Sequence, residues 1–384
     1  MIKYLGSKRL LVPAIGAIAR ALPVRSAADL FAGTTRVGQE LRGAGLEVVS
    51  NDTTAYSEAF GWAYVAATLD DRSRLGDLLR ELERAPELDG YVTATFCRRA
   101  RYLTEENGRR VDGMRAAVDR LDLSPAERGL LLTSLIEAAD RVDSTVGVQM
   151  AYLKRWAPRA HRPLELRPPH AVGGPPGTVR RADANELVGE LEGIDCAYLD
   201  PPYNQHSYLG NYHVWETLAL ADEPPHYGVA CKRIDVRDRR SAYNSRVGAW
   251  PALRDLVERA PMPWLIVSFS DEGFHDPAAV RALLGERGYV GELRAGGARY
   301  VGARIGIHDP RGRRVGEVSH LENTEHLFVA GPSRPAISRA LESARPLLAP
   351  VPRTDSRRSR SSGRRAASAA AGAASATRGR ARGR

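Results

Sequence analysis

The amino-acid sequence predicts an α/β fold, a mostly parallel sheet covered by helices and interrupted by a helical insertion. Three observations carry this. Short apolar runs alternate with helical patterns at the start of the chain, a long middle stretch shows helical spacing alone, and strand-like runs return after a Pro/Gly-rich joint.

Residues 27–31 read as a buried strand, followed by a Gly/Thr turn and a helix through Val37, Leu41 and Ala44. Residues 46–50 read as the next strand, ending at Asn51-Asp52. From about 53 to 156 the apolar residues recur at helical spacing, as in Leu75, Leu78, Leu79 and Leu82. Residues 130–139 form another helical run, with Ser124-Pro125 and Glu127 as its start signal. The joint is Pro168-Pro169 and Gly173-Gly174-Pro175-Pro176-Gly177, after which 196–199, 264–268 and 325–329 read as strands, the last of them antiparallel. Between 205 and 248 the chain is polar, rich in aromatics and without regular pattern, which reads as a functional loop. The expected division is 1–54 and 171–335 for the sheet domain, 55–170 for the insertion, and 350–384 for a tail too poor in large apolar residues to form a core.

The 384 residues carry a net charge of +10, but ten Arg and one Asp between 353 and 384 supply +9 of it and leave the body near +1. The basic signal therefore belongs to the tail, where it suits salt-sensitive contact with phosphates. Cys97, Cys196 and Cys231 are odd in number and in no paired spacing, which argues against structural disulfides or a zinc site and fits a reducing cytoplasm. Lys3, Lys8 and Arg9 precede an apolar run, but Pro13, Gly16 and Arg20 break it. No stretch reaches the roughly 20 apolar residues of a membrane span, so the reading is a protein with no membrane partner.

The most informative motif is Asp200-Pro201-Pro202-Tyr203, directly after a buried strand. Two consecutive prolines stiffen the turn and remove two N–H donors, leaving carbonyls to accept at the carboxyl end of the sheet. An Asp and a fixed carbonyl accept both hydrogens of an amino group, which favours the pyramidal nitrogen through which an aromatic amine is methylated. Tyr203 suits stacking on a base flipped out of a duplex. Asp29-Leu30-Phe31-Ala32-Gly33-Thr34-Thr35 follows the first strand, where small residues let a nucleoside approach the backbone and a helix N-terminus. Asp52 ends the second strand, the place of a carboxylate that grips ribose hydroxyls. Asp183 lies one αβ step before the third strand and suits an adenine amino group. At the start of the chain Tyr4-Leu5-Gly6-Ser7-Lys8-Arg9 sets a Gly turn and a cation before a helix, a place for a carboxylate.

In this order the motifs resemble those of the alpha-class adenine-specific DNA methyltransferases. Residues 3–9 resemble their N-terminal cofactor motif, Phe31-Ala32-Gly33 the main cofactor motif, and Asn51-Asp52 the ribose-binding acid. A helical target-recognition region, Asp183 and then the tetrapeptide at 200–203 complete the order. Thr104-Glu105-Glu106-Asn107-Gly108-Arg109-Arg110, Glu137-Ala138-Ala139-Asp140-Arg141-Val142, His213-Val214-Trp215-Glu216-Thr217-Leu218 and Ser268-Phe269-Ser270 resemble further segments of some members. The resemblance covers roughly 1–332 and departs at Thr35, where the family usually has a second glycine.

It implies a Rossmann-like sheet and S-adenosylmethionine as methyl donor, with no metal. Asp200, Pro201, Pro202 and Tyr203 become catalytic, and Tyr4, Gly6, Lys8, Asp29, Phe31, Ala32, Gly33, Asp52 and Asp183 bind the cofactor. Double-stranded DNA becomes the partner, a cognate restriction enzyme a possible second one, and a monomer the expected state. For DNA contact the candidates are Arg98, Arg99, Arg101, Arg109 and Arg110, with Tyr91, Phe96 and Tyr102 interleaved, then Lys154 and Arg155. After the tetrapeptide, Tyr208, Tyr212, His213, Lys232 and Arg233, with Tyr243-Asn244, are placed to close over the base. The rival readings are transfer to cytosine N4 or to adenine in RNA, a non-catalytic DNA-binding relative, and a dinucleotide oxidoreductase, which needs a fuller Gly-rich fingerprint.

Overall fold

Strand propensity and burial on both faces explain the sheet. The computed structural model describes residues 1–350 apart from Ser7 and residues 151–154, 299–306, 309–313 and 317–321. Its main strands are β1 (Ser26–Asp29), β2 (Glu47–Asn51), β3 (Thr178–Arg180), β4 (Cys196–Leu199), β5 (Trp264–Ser270), β6 (Tyr289–Ala298) and β7 (Glu322–Gly331). They lie in the order β3-β2-β1-β4-β5-β7-β6. Neighbours from β3 to β5 are parallel, as in Ala28 beside both Val49 and Ala197, and Tyr198 beside Ile266. β7 runs antiparallel between β5 and β6, with Phe328 beside Val267 on one side and Glu292 on the other. The antiparallel strand expected from sequence is thus last of the main strands in the chain but inserted one place from the sheet edge.

Helices cover both faces. On one lie α1 (Val12–Ala21), α2 (Arg36–Gly43) and, at the end of the described chain, Arg334–Ala344, with Ile15, Ile18, Leu41, Ile266, Val329 and Ile337 in contact. On the other, Leu256, Leu283 and Leu284 pack on Leu199, Leu265, Val267 and Phe328. Trp264 and Ile266 face the first core while Leu265, Val267 and Phe269 face the second, the alternation a pleated strand demands.

The middle segment builds its own core from helices α3 (Ala55–Phe60), α4 (Leu75–Glu83), α5 (Glu105–Arg120) and α6 (Pro125–Arg141), with π-helical turns at Gly61–Ala66 and Val92–Arg99. α6 starts where its signal lies: the Ser124 side chain accepts from the Glu127 N–H, and the Glu127 carboxylate accepts from the Ser124 N–H. Its Leu130, Leu131, Leu135 and Ile136 are buried at the centre of a cluster with Tyr56, Phe60, Leu78 and Phe96.

The stretch 205–248 corrects the expectation of an irregular loop. After α7 (Ala184–Leu187), which precedes it, the stretch contains α8 (Tyr208–Asn211) and α9 (His213–Leu220), and Tyr212, Val214, Trp215 and Leu218 belong to the core of the helical segment. Among the described residues no helix is long and apolar enough to cross a membrane.

Candidate active site

The carboxyl ends of β1, β2 and β4 open into one cavity of about 330 Å3. Its walls include Tyr4, Gly6 and Lys8 from the N-terminal segment, Asp29, Phe31, Ala32 and Gly33 after β1, Asp52 after β2, Asp183 after β3, and Asp200 and Pro202 after β4. Motifs nearly two hundred residues apart in the chain meet because parallel strands all end on the same side. Sequence reasoning placed Tyr208 and Tyr243-Asn244 near this site; it had no signal for Arg36, Arg239 and Arg240, which also line the cavity.

Each carboxylate has a distinct environment. Asp29 Oδ2 accepts from the Gly38 N–H at 3.0 Å, while Oδ1 is buried with no partner among the described residues. Burial pushes this carboxyl up to about 8, outweighing the Gly38 bond. Asp52 accepts from the Gly33 N–H at 2.9 Å and from the Thr54 N–H and hydroxyl at 3.0 and 2.9 Å, and burial still raises it. Its carboxylate keeps lone pairs for further donors. Asp183 caps α7, accepting from the Asn185 N–H at 2.8 Å.

Asp200 faces Lys8. The Lys8 ammonium lies 3.1 Å from Asp200 Oδ1, 3.4 Å from Glu325 Oε2 and 5.4 Å from the centre of the Tyr203 ring. Lys8, expected from the sequence to meet a cofactor carboxylate, lines the cavity and pairs with Asp200 after β4 and Glu325 on β7. Burial pushes Asp200 up to about 6 against the pull of Lys8; for Lys8 the two carboxylates outweigh burial and hold it well above the ordinary range. Among the described residues no backbone N–H donates to the Pro201 carbonyl. Tyr203 is anchored by its own carbonyl, which accepts from the Phe274 N–H at 2.9 Å, and its ring lies 6.0 Å from that of Phe269. Pro201 and Tyr203 stand beside the cavity and not in its wall.

Two glycines and one threonine make the turns possible. Gly6 has φ +68°, and a Cβ there would lie 2.4 Å from the Tyr208 hydroxyl oxygen. Gly33 has φ +52°, with the Tyr4 hydroxyl oxygen 3.1 Å from where a Cβ would stand. Thr35 takes φ 60° at the start of α2, a conformation rare for a β-branched residue. Its hydroxyl compensates, donating to the Thr34 carbonyl at 2.7 Å and accepting from Gln39 Nε2 at 3.0 Å. Thr35→Gly is expected to change stability by less than about 1 kcal/mol, because relief of roughly 1–2 kcal/mol of strain is offset by the lost hydrogen bonds and by backbone entropy. Urea unfolding checks this; a loss above about 2 kcal/mol would show that the hydroxyl, not the backbone, governs the turn.

The part of the cavity wall that comes from residues 207–244 is tied to the helical segment. Tyr4 stacks on Tyr208 and Tyr212 with ring centres 5.3 and 4.5 Å apart, and the Leu5 N–H donates to the Tyr212 hydroxyl at 2.5 Å. Glu216 accepts from the Ala55 N–H at 2.8 Å, capping α3, and from Arg239 at 2.6 Å. Asn244 donates to the carbonyls of Asn204 and His206 at 2.9 and 3.1 Å, and the Tyr243 ring meets Phe31 edge-on at 5.3 Å.

The residues expected to meet DNA separate into four groups. Arg98 pairs with Asp89 and Glu105, Arg109 with Glu105, and Arg99 lies 3.2 Å from His226 Nε2, all at the surface. Arg101 stands over the Trp156 ring at 5.3 Å, and Lys232 lies beside Met150. Arg110 instead donates to the carbonyls of Ala85 and Glu83, a structural role within the segment. Tyr212 and His213 are buried, so neither lies on a surface loop: Tyr212 stacks on Tyr4, and His213 Nε2 lies 2.9 Å from the Gln149 carbonyl. Lys154 and the tail fall outside the described residues.

Comparison with known proteins agrees with this arrangement. A family model described as D12 class N6 adenine-specific DNA methyltransferase matches residues 4–259. The chain is 31% identical over 265 residues to the type II methyltransferase M.NlaIII of Neisseria lactamica, covering 66% of this chain and 78% of that protein. It is 33% identical over 293 residues to modification methylase LlaI of Lactococcus lactis subsp. lactis, with 70% and 46% covered. To the type II methyltransferase M.FokI of Planomicrobium okeanokoites it is 30% identical over 283 residues, with 68% and 42% covered, so it spans less than half of the last two proteins. By sequence, fold and the order of its motifs, this chain belongs to the D12 class of N6 adenine-specific DNA methyltransferases.

Proposed function

We propose that the protein takes its methyl group from S-adenosylmethionine and delivers it to a flipped adenine at a specific site in duplex DNA, as the modification activity of a restriction-modification system. The carrying observation is the single cavity in which the Asp200 turn meets Asp29, Asp52 and Asp183 at the ends of parallel strands.

The residues fit this cofactor. Phe31, Leu30 and Val37 give apolar walls, while Asp29, Asp52 and Asp200 are carboxyls that burial has raised. A ligand with hydroxyl and amino groups and a positive charge relieves that strain, and the unpartnered Asp29 Oδ1 is a place for one of its polar groups. Asp52 would hold the ribose hydroxyls, Asp183 the adenine amino group, and Gly33 with Tyr4 and Gly6 the approach to the backbone. S-adenosylmethionine supplies an electrophilic methyl carbon.

The chain's own contribution is to bind and orient the target. Asp200 and the Pro201 carbonyl accept the two amino hydrogens, which directs the nitrogen lone pair out of the ring plane. Pro201 and Pro202 keep that carbonyl from moving. Tyr203, backed by Phe269, offers its ring to the base. Asp200 need not be a strong base, since the amine is acidic once methylated. The helical segment 55–170 is the target-recognition region in this reading, with Arg98, Arg99, Arg101 and Arg109 at its surface. The protein acts as a monomer, and a restriction enzyme of the same specificity is its partner in the cell.

The test is transfer from labelled S-adenosylmethionine to unmethylated duplex DNA, followed by nucleoside analysis. Label in N6-methyladenine is expected. Label in N4-methylcytosine would correct the base, and label only with RNA would correct the polymer.

A further inference from the structure

We propose that Glu325 is a positioning residue of the methyl-transfer site, holding the Lys8 ammonium so that the Asp200 carboxylate stays open to the incoming amino group. The inference rests on the reading of Asp200 as the amino-group acceptor. Glu325 lies on β7, beyond residues 4–259 that the family model matches.

The geometry is a shared cation. Lys8 is almost wholly buried and stands between two carboxylates, at 3.1 Å from Asp200 Oδ1 and 3.4 Å from Glu325 Oε2. An ammonium with one carboxylate partner in so dry a place would draw in on both of its oxygens, whereas here the closest contact of Lys8 with Asp200 is to Oδ1 and Oδ2 is the oxygen offered to the base. A second carboxylate divides the ammonium between two acceptors. Glu325 is itself fixed for this task. Its Oε1 accepts from Asn323 Nδ2 at 3.0 Å, and the same amide reaches the Ser270 hydroxyl at 3.3 Å on the adjoining β5. In the sheet Glu325 lies directly beside Ser270, so the register of β5 and β7 sets where the carboxylate stands.

The charge balance points the same way. With both carboxylates ionised, two negative groups and one ammonium leave one net negative charge beside the reacting nitrogen. That nitrogen gains positive charge as the methyl bond forms, and a fixed negative charge nearby lowers the barrier. Without Glu325 the remaining pair is neutral and that stabilisation is lost.

Asp200 is faced by Lys8 from the N-terminal segment, Glu325 from β7, Asp29 from β1, Tyr208 from α8, and Tyr198 and Tyr203 from its own strand and turn. Burial raises Asp29 and the tyrosines towards their neutral forms, and Glu325 is the carboxylate whose charge opposes ionisation of Asp200. Replacing it by a neutral isostere therefore moves Asp200 ionisation to lower pH while slowing the reaction. A residue with a merely structural role would slow the reaction without moving the acid limb.

The experiment is single-turnover methylation of duplex DNA by the full chain between about pH 5 and 8, with Glu325→Gln, Glu325→Asp and Asp200→Ala, and with cofactor binding and melting measured on each. For Glu325→Gln we expect the plateau rate to fall roughly tenfold or more, the KM for DNA to stay within about twofold, and the acid limb to shift down in pH. Glu325→Asp, with its carboxylate drawn back by one methylene, should be intermediate in both. A Glu325→Gln enzyme with the wild-type rate, or one slowed equally at every pH, would overturn the proposal. If Glu325→Gln does not fold, Glu325→Asp decides alone, and wild-type rate and limb in that variant would overturn it as well. An active Asp200→Ala variant would instead remove the reading of Asp200 on which the inference stands.

Discussion

Asp200→Ala is expected to lower the rate of methyl transfer at least roughly a thousandfold while leaving folding and cofactor binding nearly unchanged. The carboxylate is the side chain at the end of β4 that can accept from the target amino group, and the Pro201 carbonyl accepts only one of its two hydrogens. Losing it also leaves Lys8 paired with Glu325 alone, a neutral pair where a net negative charge had stood beside a nitrogen that itself becomes positive. Single-turnover methylation with calorimetric cofactor titration separates the two effects; retention of more than about a tenth of the rate would reject Asp200 as the acceptor. The wild type carries a matching pH dependence. Burial holds the Asp200 carboxyl at about 6, and the acceptor must be ionised, so activity is present above that pH and falls as pH drops through it. An acid limb near pH 4 would instead mean that Asp200 is not the titrating group.

Glu216→Ala is expected to destabilise the protein by about 3 kcal/mol, a large part of the roughly 5–15 kcal/mol that holds a domain together. Glu216 is fully buried and its carboxylate does two things at once. One oxygen caps α3 through the N–H groups of Ala55 and Tyr56 at 2.8 and 3.4 Å, and the other takes Arg239 at 2.6 Å. The substitution leaves a helix N-terminus uncapped and a guanidinium without its closest partner, although Arg239 keeps Asp235 at 3.3 Å. Urea unfolding of Glu216→Ala beside Arg239→Ala measures the split, and a change under about 1 kcal/mol in both would show that α3 is capped without this ion pair. Because Arg239 also lines the cavity, weaker cofactor binding should accompany the loss of stability.

The same residue shows where a sequence stops being legible. His213-Val214-Trp215-Glu216-Thr217-Leu218 resembles a segment of some relatives but carries no local sign of what Glu216 does, and the stretch around it reads as a loop. Only in the fold does Trp215 enter the core of the helical segment and Glu216 meet a helix start some 160 residues earlier in the chain. β6 was hidden for a related reason. Its Gly291, Gly296 and Gly297 argue against a strand, yet a Cβ at Gly291 would lie 2.4 Å from Leu341, so the glycine is what lets the last helix approach. β3, three residues long with one buried side chain, leaves too little pattern to read.

What the sequence determined by itself is whatever depends on neighbours in the chain. The apolar runs of β1, β4, β5 and β7, the capping box of α6, the stiff turn at 200–203 and the carboxylates after β1 and β2 are all local, and local propensity is enough to show them. What only the tertiary structure decided is how distant side chains share charge and space. Lys8 belongs to Asp200 and Glu325, Tyr212 to Tyr4, and Arg110 to the carbonyls of its own segment. Sequence spacing carries no record of such pairings, because an ion pair or a ring stack depends on a few ångströms between strands whose separation along the chain can be any length.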